Sequence, residues 1–569
     1  MPGQIFSKLK DSFNKWHILI IIILTALICL PASQGSFIFD DNFLIKDNAY
    51  IREGHSVSSY LSQEDGITNE ADKGVMHTGY YRPFTDFTYH LDYLLWGIDA
   101  RGFRTTNIIL HILNVLLLYL LINYLFLNRT TAFLSAMFFA FHPADTEAIS
   151  MIGNRTNLLA VLFFLSSFYL YLQSMYKGKQ ALFTLSVFLF GLSVFSKEIG
   201  VMGIGIIFLY NRIVPSDKRN ISNEILSYLP YLLVLIVYMF MRSSVIGQLS
   251  VRLGLNDILM RIYYVPWLCC YNLSIILLPW KLHSFGVSYP TDPADITVIV
   301  SIVFFISAVI IAILFWKKNR MAVFSAAAFL LALFPVLSII PKSSVSLIAL
   351  RWLYFPLIFF AIFLACIIKS VKSKRKEMLF IISITVLCYL GGYSFILNRY
   401  LWFNEKIFLM QEATTFNNEL FMGAYASMLY DQKKTDEAEK YYLKSIKAYP
   451  TLPDSYNGYA TLLIMDKGRI DEAYDLLQKA EKLSKASDQR QEWLHLMGLV
   501  KIKQGESQEA LNYLFQALSI KQTPEIYNSL CLAYSALNEK EKALYYLRKG
   551  LELDAKNKVL IGNLKILSP

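Results

Sequence analysis

Over its first 400 residues the chain alternates between long apolar runs and short polar stretches, and it then changes to an amphipathic helical pattern. Apolar runs long enough to cross roughly 30 Å of hydrocarbon recur throughout this first part. We predict spans at 16–34, 105–127, 131–143, 157–175, 180–195, 198–211, 225–241, 259–279, 296–316, 321–340, 349–368 and 378–397. Residues 1–400 are therefore predicted to form an all-α, polytopic membrane bundle.

Lys and Arg cluster beside the apolar runs, and this bias predicts which loops face the cytoplasm. The predicted cytoplasmic loops lie near residues 128, 177, 215, 318 and 373. Twelve full crossings would place the basic sequence KKNR (317–320) outside, so one run between 180 and 279 is expected to be re-entrant or merged with its neighbour. We therefore expect about 11 spans and a C-terminal region on the non-cytoplasmic side.

The longest polar insertion among the predicted spans is the outer loop 35–104, and loops of this length usually carry function. Its segment 80–97 has the aromatic and apolar spacing of a helix lying in the membrane interface. Near its start, Asp40 and Asp41 follow directly after the first apolar run. Such a pair is costly beside a bilayer unless it is solvated, paired or catalytic. One member can remain an anion that accepts a proton from a hydroxyl, although a helix cap or a solvated loop is the simpler alternative.

Further charged residues are predicted on the same side as this acidic pair. The sequence FHPADTEAISMIGNRTNLLA (141–160) places His142, Asp145, Glu147 and Arg155 at the junction of two spans. Interfacial capping would explain them, and so would a polar cavity shared with the acidic pair.

Three more charges lie at the ends of apolar runs. Lys197 and Glu198 separate two runs, where a structural ion pair and a phosphate-binding lysine are both consistent with the sequence. Arg351 lies at the outer start of a span, where it either extends toward water or grips a phosphate with its planar guanidinium.

Composition agrees with a membrane protein, because 55% of the residues are hydrophobic and only 17% are charged. The net charge of +11 does not indicate nucleic-acid binding, since the basic residues flank apolar segments. The six cysteines form no pattern of disulfides or metal ligands.

Residues 401–569 show a repeat of small residues. Ala438, Ala473, Ala510 and Ala543 are separated by 35, 37 and 33 positions. Each of these alanines has another small residue about twelve positions before it and a third one seven positions after it. This spacing predicts about four tetratricopeptide repeats, in which small side chains let two antiparallel helices approach closely, forming an α-solenoid whose concave face commonly binds extended peptide.

Taken in order, several motifs resemble those of a known family. They are FDDNFLIKDN, YYRP, NIILHILN, FHPADTEAISMIGNR, SKE and RWLYFP, followed by the repeats. The series is similar to that of the transmembrane and tetratricopeptide repeat-containing O-mannosyltransferases and their bacterial relatives, which are polytopic GT-C glycosyltransferases. The chain departs from that pattern at Asp145, where a second histidine often follows HP, and at Arg104, where a histidine commonly follows Phe. These departures bear on the sugar and the acceptor more than on the reaction class.

The resemblance implies inverting transfer of mannose or another hexose from a polyprenyl-phosphate carrier to a hydroxyl. The acceptor would be protein Ser or Thr on the non-cytoplasmic face of a bacterial inner membrane. Asp40 would act as the base with Asp41 beside it, while Arg351 and Lys197 hold the departing phosphate. The repeat domain would hold the acceptor polypeptide. The resemblance further implies substrate-binding roles for Arg82, His142, Glu147, Arg155 and Glu198. We predict that Asp145 and Tyr354 also line the substrate site.

Two other functions are consistent with the sequence. An O-antigen-type ligase or polymerase would need a large late outer loop, whereas the candidates 281–295 and 341–350 are short. A non-enzymatic membrane anchor that displays a repeat scaffold would not need so many charged residues between spans. No cofactor is indicated with certainty, although Asp40, Asp41 and Glu147 are candidate ligands for a divalent cation.

Overall fold

The architecture is that of a computed structural model. It describes residues 2–52, 57–62, 66–68, 75–77, 80–214, 221–246, 255–280, 282, 290, 292, 294–337, 348–371, 375–415, 418–484 and 487–567. The chain divides into a membrane unit, Met1–Thr68 with Val75–Phe408, and a repeat unit over Leu409–Pro569. The predicted all-α fold is confirmed. Within the described ranges the only strands are β1 (Gly66–Thr68) and β2 (Val75–His77), which pair antiparallel in the predicted loop 35–104.

In the part of the chain that the structure describes, seventeen α-helices precede the repeat helices. They are α1 (Pro2–Ser33), α2 (Ala49–Arg52), α3 (Val57–Ser62), α4 (Pro83–Trp96), α5 (Ala100–Phe126), α6 (Arg129–Phe141), α7 (Thr146–Ser150), α8 (Arg155–Lys177), α9 (Gln180–Ser196), α10 (Met202–Ile213), α11 (Ile221–Ile246), α12 (Leu255–Leu277), α13 (Ile296–Phe315), α14 (Arg320–Leu333), α15 (Tyr354–Ser370), α16 (Lys376–Tyr400) and α17 (Glu405–Met410). Each of the twelve predicted apolar runs coincides with one of these helices.

Seven described helices are long and apolar enough to cross a membrane, and four shorter apolar helices accompany them. Between residues 180 and 279 the shortest helix is α10, whose 12 residues extend about 18 Å. We therefore take α10 as the candidate for the run that does not cross the membrane completely. Both this assignment and the count of about 11 spans stay predictions. The predicted loops near 215 and 373 and most of the late loops 281–295 and 341–350 lie outside the described residues.

A line of polar side chains on α5 fixes the packing of this helix in the bundle. Asn107, His111 and Asn114 recur at helical spacing on one face, and all three are fully buried. Asn107 donates to the carbonyl of Ile149 (3.2 Å). A 2.8 Å hydrogen bond joins His111 Nδ1 to the Tyr354 hydroxyl, which also accepts from Asn114 (3.0 Å). These bonds hold α5 against α15 and the segment before α8, because buried polar groups need partners.

The repeat unit consists of four helical hairpins and a final helix. The helices are α18 (Glu419–Asp431), α19 (Thr435–Ala448), α20 (Pro453–Leu462), α21 (Ile470–Glu481), α22 (Ser487–Lys503), α23 (Ser507–Ile520), α24 (Pro524–Ala536), α25 (Lys540–Leu553) and α26 (Lys558–Leu567). The four repeat alanines, Ala438, Ala473, Ala510 and Ala543, are each 0% exposed. At Gly498 an added Cβ would lie 2.7 Å from Leu514, so only a small residue permits this approach. The predicted repeat is therefore confirmed in its packing.

Candidate functional site

The acidic pair lies on a tight turn after α1. Phe39, immediately before Asp40, adopts a left-handed backbone conformation with φ of 49°. Non-glycine residues pay about 1 kcal/mol or more for this conformation, so the surroundings must hold it. Glu405 supplies that restraint, because its Oε1 accepts from the Phe39 amide (3.1 Å) and from Asn42 Nδ2 (3.3 Å). The turn is therefore fixed by a carboxylate that lies more than 360 residues away in the chain.

Asp41 points inward and anchors the turn to the helix that follows the HPADTEA segment. Its side chain is fully buried, and its Oδ1 accepts from the Gly153 amide at 2.8 Å. Burial raises the pKa of Asp41 to about 6, although the Arg104 charge and the backbone donors Gly153 and Ile38 oppose the rise. Asp41 is thus a structural neighbour of Asp40 that is itself held in place.

We expect Asp41→Asn to raise the melting temperature at pH 7.5, because the amide oxygen still accepts from Gly153 and no charge is buried. The raised pKa means that the folded protein binds more protons than the unfolded chain between about pH 4 and 6. Wild-type stability therefore falls as pH rises through this window, by about 3 kcal/mol. The advantage of the variant should disappear below about pH 4, where the carboxyl is protonated in both the folded and the unfolded state. The exposed Asp47→Asn is the matched control, and an advantage independent of pH would contradict the prediction.

Arg104 also holds this turn in place through hydrogen bonds. Its guanidinium is fully buried and donates to the carbonyls of Ala32 (2.9 Å), Ser36 (2.5 Å) and Trp402 (2.9 Å). At Gly35 an added Cβ would lie 1.8 Å from the Arg104 Nη1 atom, so this glycine is required for the guanidinium to fit. Arg104, noted in the sequence only as a departure from the family pattern, therefore joins the end of α1 to the segment after α16.

Asp40 lies within electrostatic reach of Arg351 and Glu147. Arg351 forms an ion pair with the fully buried Glu147, and its amide donates to Glu147 Oε2 at 2.9 Å. Burial raises the pKa of Asp40, and the Arg351 charge opposes the rise. Burial also raises the pKa of Glu147, with Arg351 lowering it and the nearby Asp40 charge raising it. The structure thus brings together two carboxylates and one arginine that the sequence places on three separate segments.

A second charged cluster contains Arg82, Lys197 and Glu198. Arg82 Nη2 lies 3.0 Å from Glu198 Oε2, and its guanidinium stacks over the Tyr80 ring at 4.0 Å. Lys197 donates to Asn157 Oδ1 at 2.6 Å. Burial would raise the pKa of Glu198, but the Arg82 charge and hydrogen bond and the Lys197 charge bring it below its ordinary value. Glu198 is therefore an anion between two cations.

The two clusters contact the same end of α8. Gly153, just before this helix, binds Asp41, and Asn157, four residues later, binds Lys197. Four residues make about one helical turn, or roughly 6 Å along the axis. The carboxylate turn and the Lys197 cluster are therefore positioned by one short stretch of backbone.

Two of the predicted substrate-binding residues are committed to internal contacts. His142 Nδ1 accepts from the Ala144 amide (3.2 Å), and its Nε2 donates to the carbonyl of Ile276 (2.9 Å). Burial lowers the pKa of His142 to about 4, so the ring is neutral. Tyr354 belongs to the buried α5 network described above.

Arg155 is also internal. It forms an ion pair with Asp92 and donates to Asn107 Oδ1 (2.9 Å) and to the carbonyls of Thr88 (3.1 Å) and Phe103 (2.9 Å). Its side chain is 0% exposed. These contacts give Arg155 a structural explanation, and a role in substrate binding stays a prediction.

Asp145 differs from these residues in the surroundings of its carboxylate. Both carboxylate oxygens are buried without a hydrogen bond to any residue that the structure describes. Burial raises the pKa of Asp145 well above its ordinary value, which favours the neutral form of this carboxyl group.

No metal centre emerges from the candidate carboxylates. Across the described residues, no group of three or more His, Cys, Asp or Glu side chains is arranged to hold an ion. Glu147 is occupied by Arg351, and Asp41 accepts from Gly153. The candidate divalent cation therefore gains no support from the geometry.

Glu405, Gly153 and Asn157 contribute to the site without having been predicted. Glu405 follows the last apolar run as one of several charged residues, and nothing in its neighbourhood singles it out. Gly153 acts through its backbone amide, and Asn157 lies inside an apolar helix. Asn157 alone carried a signal, since an amide within an apolar run needs a polar partner.

Comparison with known proteins supports the resemblance drawn from the motifs. A family described as dolichyl-phosphate-mannose-protein mannosyltransferase matches residues 81–242, and the tetratricopeptide repeat matches residues 421–452 and 524–557. The first match includes Arg82, His142, Lys197 and the intervening charged segment. The resemblance to O-mannosyltransferases with repeats is therefore confirmed.

Several curated relatives are named protein O-mannosyl-transferases. A protein O-mannosyl-transferase of Caenorhabditis elegans is 25% identical over 459 residues, which cover 76% of this chain and 63% of the relative. A human protein O-mannosyl-transferase is 29% identical over 202 residues, covering 34% and 23%, and a mouse one is 32% identical over 135 residues, covering 24% and 14%. The chain thus spans less than two thirds of the length of these relatives.

Among solved structures, a thermophilic tetratricopeptide repeat protein of Thermus thermophilus is similar to part of the chain. It is 21% identical, with a TM-score of 0.26, and the match covers 32% of this chain and 95% of that protein.

Proposed function

We propose that this protein transfers mannose from a polyprenyl-phosphate carrier to Ser or Thr hydroxyls of polypeptides on the non-cytoplasmic face of a bacterial inner membrane. The observation that carries the proposal is the position of Asp40. It is half-buried on a restrained turn, beside the Arg351–Glu147 ion pair. The similarity to proteins named O-mannosyl-transferases supports the same reaction class.

In the proposed reaction, the Asp40 carboxylate accepts the proton of the acceptor hydroxyl. The hydroxyl oxygen forms a bond to the anomeric carbon, and the bond between that carbon and the phosphate oxygen breaks. The electron pair of the broken bond leaves with the lipid phosphate, which Lys197 and Arg351 stabilise as charge develops. The raised pKa of Asp40 suits a general base, because the conjugate acid forms more readily near neutral pH.

The surroundings of Asp40 explain how the base is held. Glu405 fixes the backbone before it, Asp41 and Gly153 fix the backbone after it, and Arg104 closes the turn from behind. Pre-positioning of this kind is a main source of catalytic rate, because little reorganisation remains for the reaction itself. In this proposal the repeat unit binds the acceptor polypeptide and raises its effective concentration.

The proposal is tested with purified full-length protein, a polyprenyl-phosphate mannose donor and Ser/Thr-rich peptides. We expect mass spectrometry to find hexose on Ser or Thr, and exported proteins of cells that lack the chain to lose the same modification. A protein that binds the peptides but transfers no hexose would instead support the scaffold alternative.

A further inference from the structure

Tyr238, near the end of α11, packs against the Arg82 cluster. Its side chain is 1% exposed, and its ring lies 6.0 Å from the Tyr81 ring and 5.4 Å from the Phe195 ring between centroids. Tyr81 precedes Arg82 in the chain, and Phe195 comes two residues before Lys197. Aromatic packing on both sides therefore holds the Tyr238 ring between residues that neighbour Arg82 and Lys197 in the chain.

Arg242 follows Tyr238 by one helical turn, so the two side chains share a face of α11. The charges of Arg242, Arg82 and Glu198 all act on the Tyr238 hydroxyl, which places each of these three groups within electrostatic range of that hydroxyl. Arg242 thus adds a third cation to the cluster of Arg82 and Lys197.

Three buried polar atoms in this cluster have no hydrogen-bond partner within the part of the chain that the structure describes. They are the Tyr238 hydroxyl, Arg242 Nε and Glu198 Oε1. An unsatisfied buried polar group destabilises the fold, so three at one place are uncommon in a protein that binds nothing there. Two of the three can donate, and the third is a carboxylate oxygen that can only accept.

This set of groups matches one ligand chemistry. Arg82, Lys197, Arg242 and the Tyr238 hydroxyl offer donors and a surplus of positive charge, which suit the oxygens of a phosphate. The Glu198 Oε1 atom accepts, which suits a hydroxyl donor. A phosphate joined to a polyhydroxylated group presents both kinds of partner at adjacent positions.

We infer that Tyr238 and Arg242 complete, with Arg82 and Lys197, a binding site for the phosphate of a sugar phosphate, with Glu198 accepting from a sugar hydroxyl. The identity of the ligand as a lipid-borne sugar phosphate rests on the proposed function. Arg351 is already paired with Glu147. The inferred site therefore adds phosphate contacts near the C-terminal end of α11.

The experiment measures binding of polyprenyl phosphate to the full-length protein in vesicles of neutral phospholipid. We expect Arg242→Gln to weaken binding about tenfold or more, because a charged hydrogen bond is lost, and Tyr238→Phe about threefold or more. The matched controls are Arg399→Gln and Tyr389→Phe, whose side chains are exposed on α16, and they should change binding less than about twofold. Tyr238→Phe should also leave the melting temperature without ligand equal or higher, since it removes an unsatisfied hydroxyl.

Inorganic phosphate, used as a competitor, separates the two sources of the anion. Displacement only at far higher concentration than polyprenyl phosphate supports a lipid-borne ligand, and equal displacement supports a site for free phosphate. Wild-type protein that binds neither probe, or variants that bind like their controls, would overturn the inference. Binding is measured without sugar transfer, so the two proposals can fail separately. If the Tyr238 and Arg242 variants bind polyprenyl phosphate as well as the wild type and still transfer sugar, the inferred site is wrong and the proposed function stands.

Discussion

Asp40→Asn should reduce sugar transfer by about a thousandfold or more while leaving the fold intact. The amide cannot take a proton from the acceptor hydroxyl, and general bases contribute about 10²–10⁴-fold to rates. The loss should appear in kcat, since Asp40 is not among the groups assigned to the phosphate. Initial rates with a polyprenyl-phosphate mannose donor and a Ser/Thr peptide measure it.

Asp47→Asn is the matched control, because Asp47 is an exposed carboxylate seven residues along the same loop. Its rate and melting temperature should equal those of the wild type. Burial raises the pKa of Asp40, so the wild-type rate should fall on acidification at a higher pH than an exposed aspartate would give. Undiminished transfer by Asp40→Asn would remove the assignment of this residue as the base.

Arg155→Gln should destabilise the membrane unit by about 3–5 kcal/mol, which for a protein of ordinary stability means poor folding. The substitution leaves Asp92, which is 4% exposed, as a buried charge without its cation. Melting temperature and the yield of folded protein in detergent report the loss. Arg101→Gln, at an exposed position on α5, is the control and should be neutral.

A second substitution separates a structural role of Arg155 from substrate binding. Adding Asp92→Asn to Arg155→Gln removes the uncompensated charge and should restore part of the lost stability, because contacting residues are not additive. A stable double variant that transfers sugar would mean that Arg155 acts through folding. If the double variant folds but transfers nothing, the predicted role in substrate binding gains support.

The sequence predicted the elements well because their signals are local. Apolar runs define the membrane helices, and small residues at repeat spacing define the hairpins, as the burial of Ala438 and Ala543 illustrates. Asp40, Glu147 and Arg351 were each noted in the sequence as charged residues beside apolar runs, because charges beside a membrane need solvent or partners. The structure places their charges near one another, while their roles in binding and catalysis stay predictions.

The pairing within the site was not predictable in the same way. Arg155 was expected to face substrate, and nothing local indicates that Asp92, 63 residues earlier, neutralises it. Lys197 donates to the neutral Asn157, 40 residues earlier, which no local signal indicates. Such choices are decided by helix packing across the bundle, which a single sequence does not specify. Tyr238 and Arg242 were not predicted for the same reason, because only the packing of α11 brings them near Arg82.

The bond from Glu405 to the Phe39 amide has a consequence for how the chain tolerates shortening. Glu405 begins α17, only a few residues before the repeats. A chain cut at Tyr400 would lose Glu405 and also Trp402, whose carbonyl accepts from Arg104, and would release the strained peptide before Asp40. A chain cut after Phe408 would keep both contacts, so a folded membrane unit is expected to need the residues just beyond the final membrane helix.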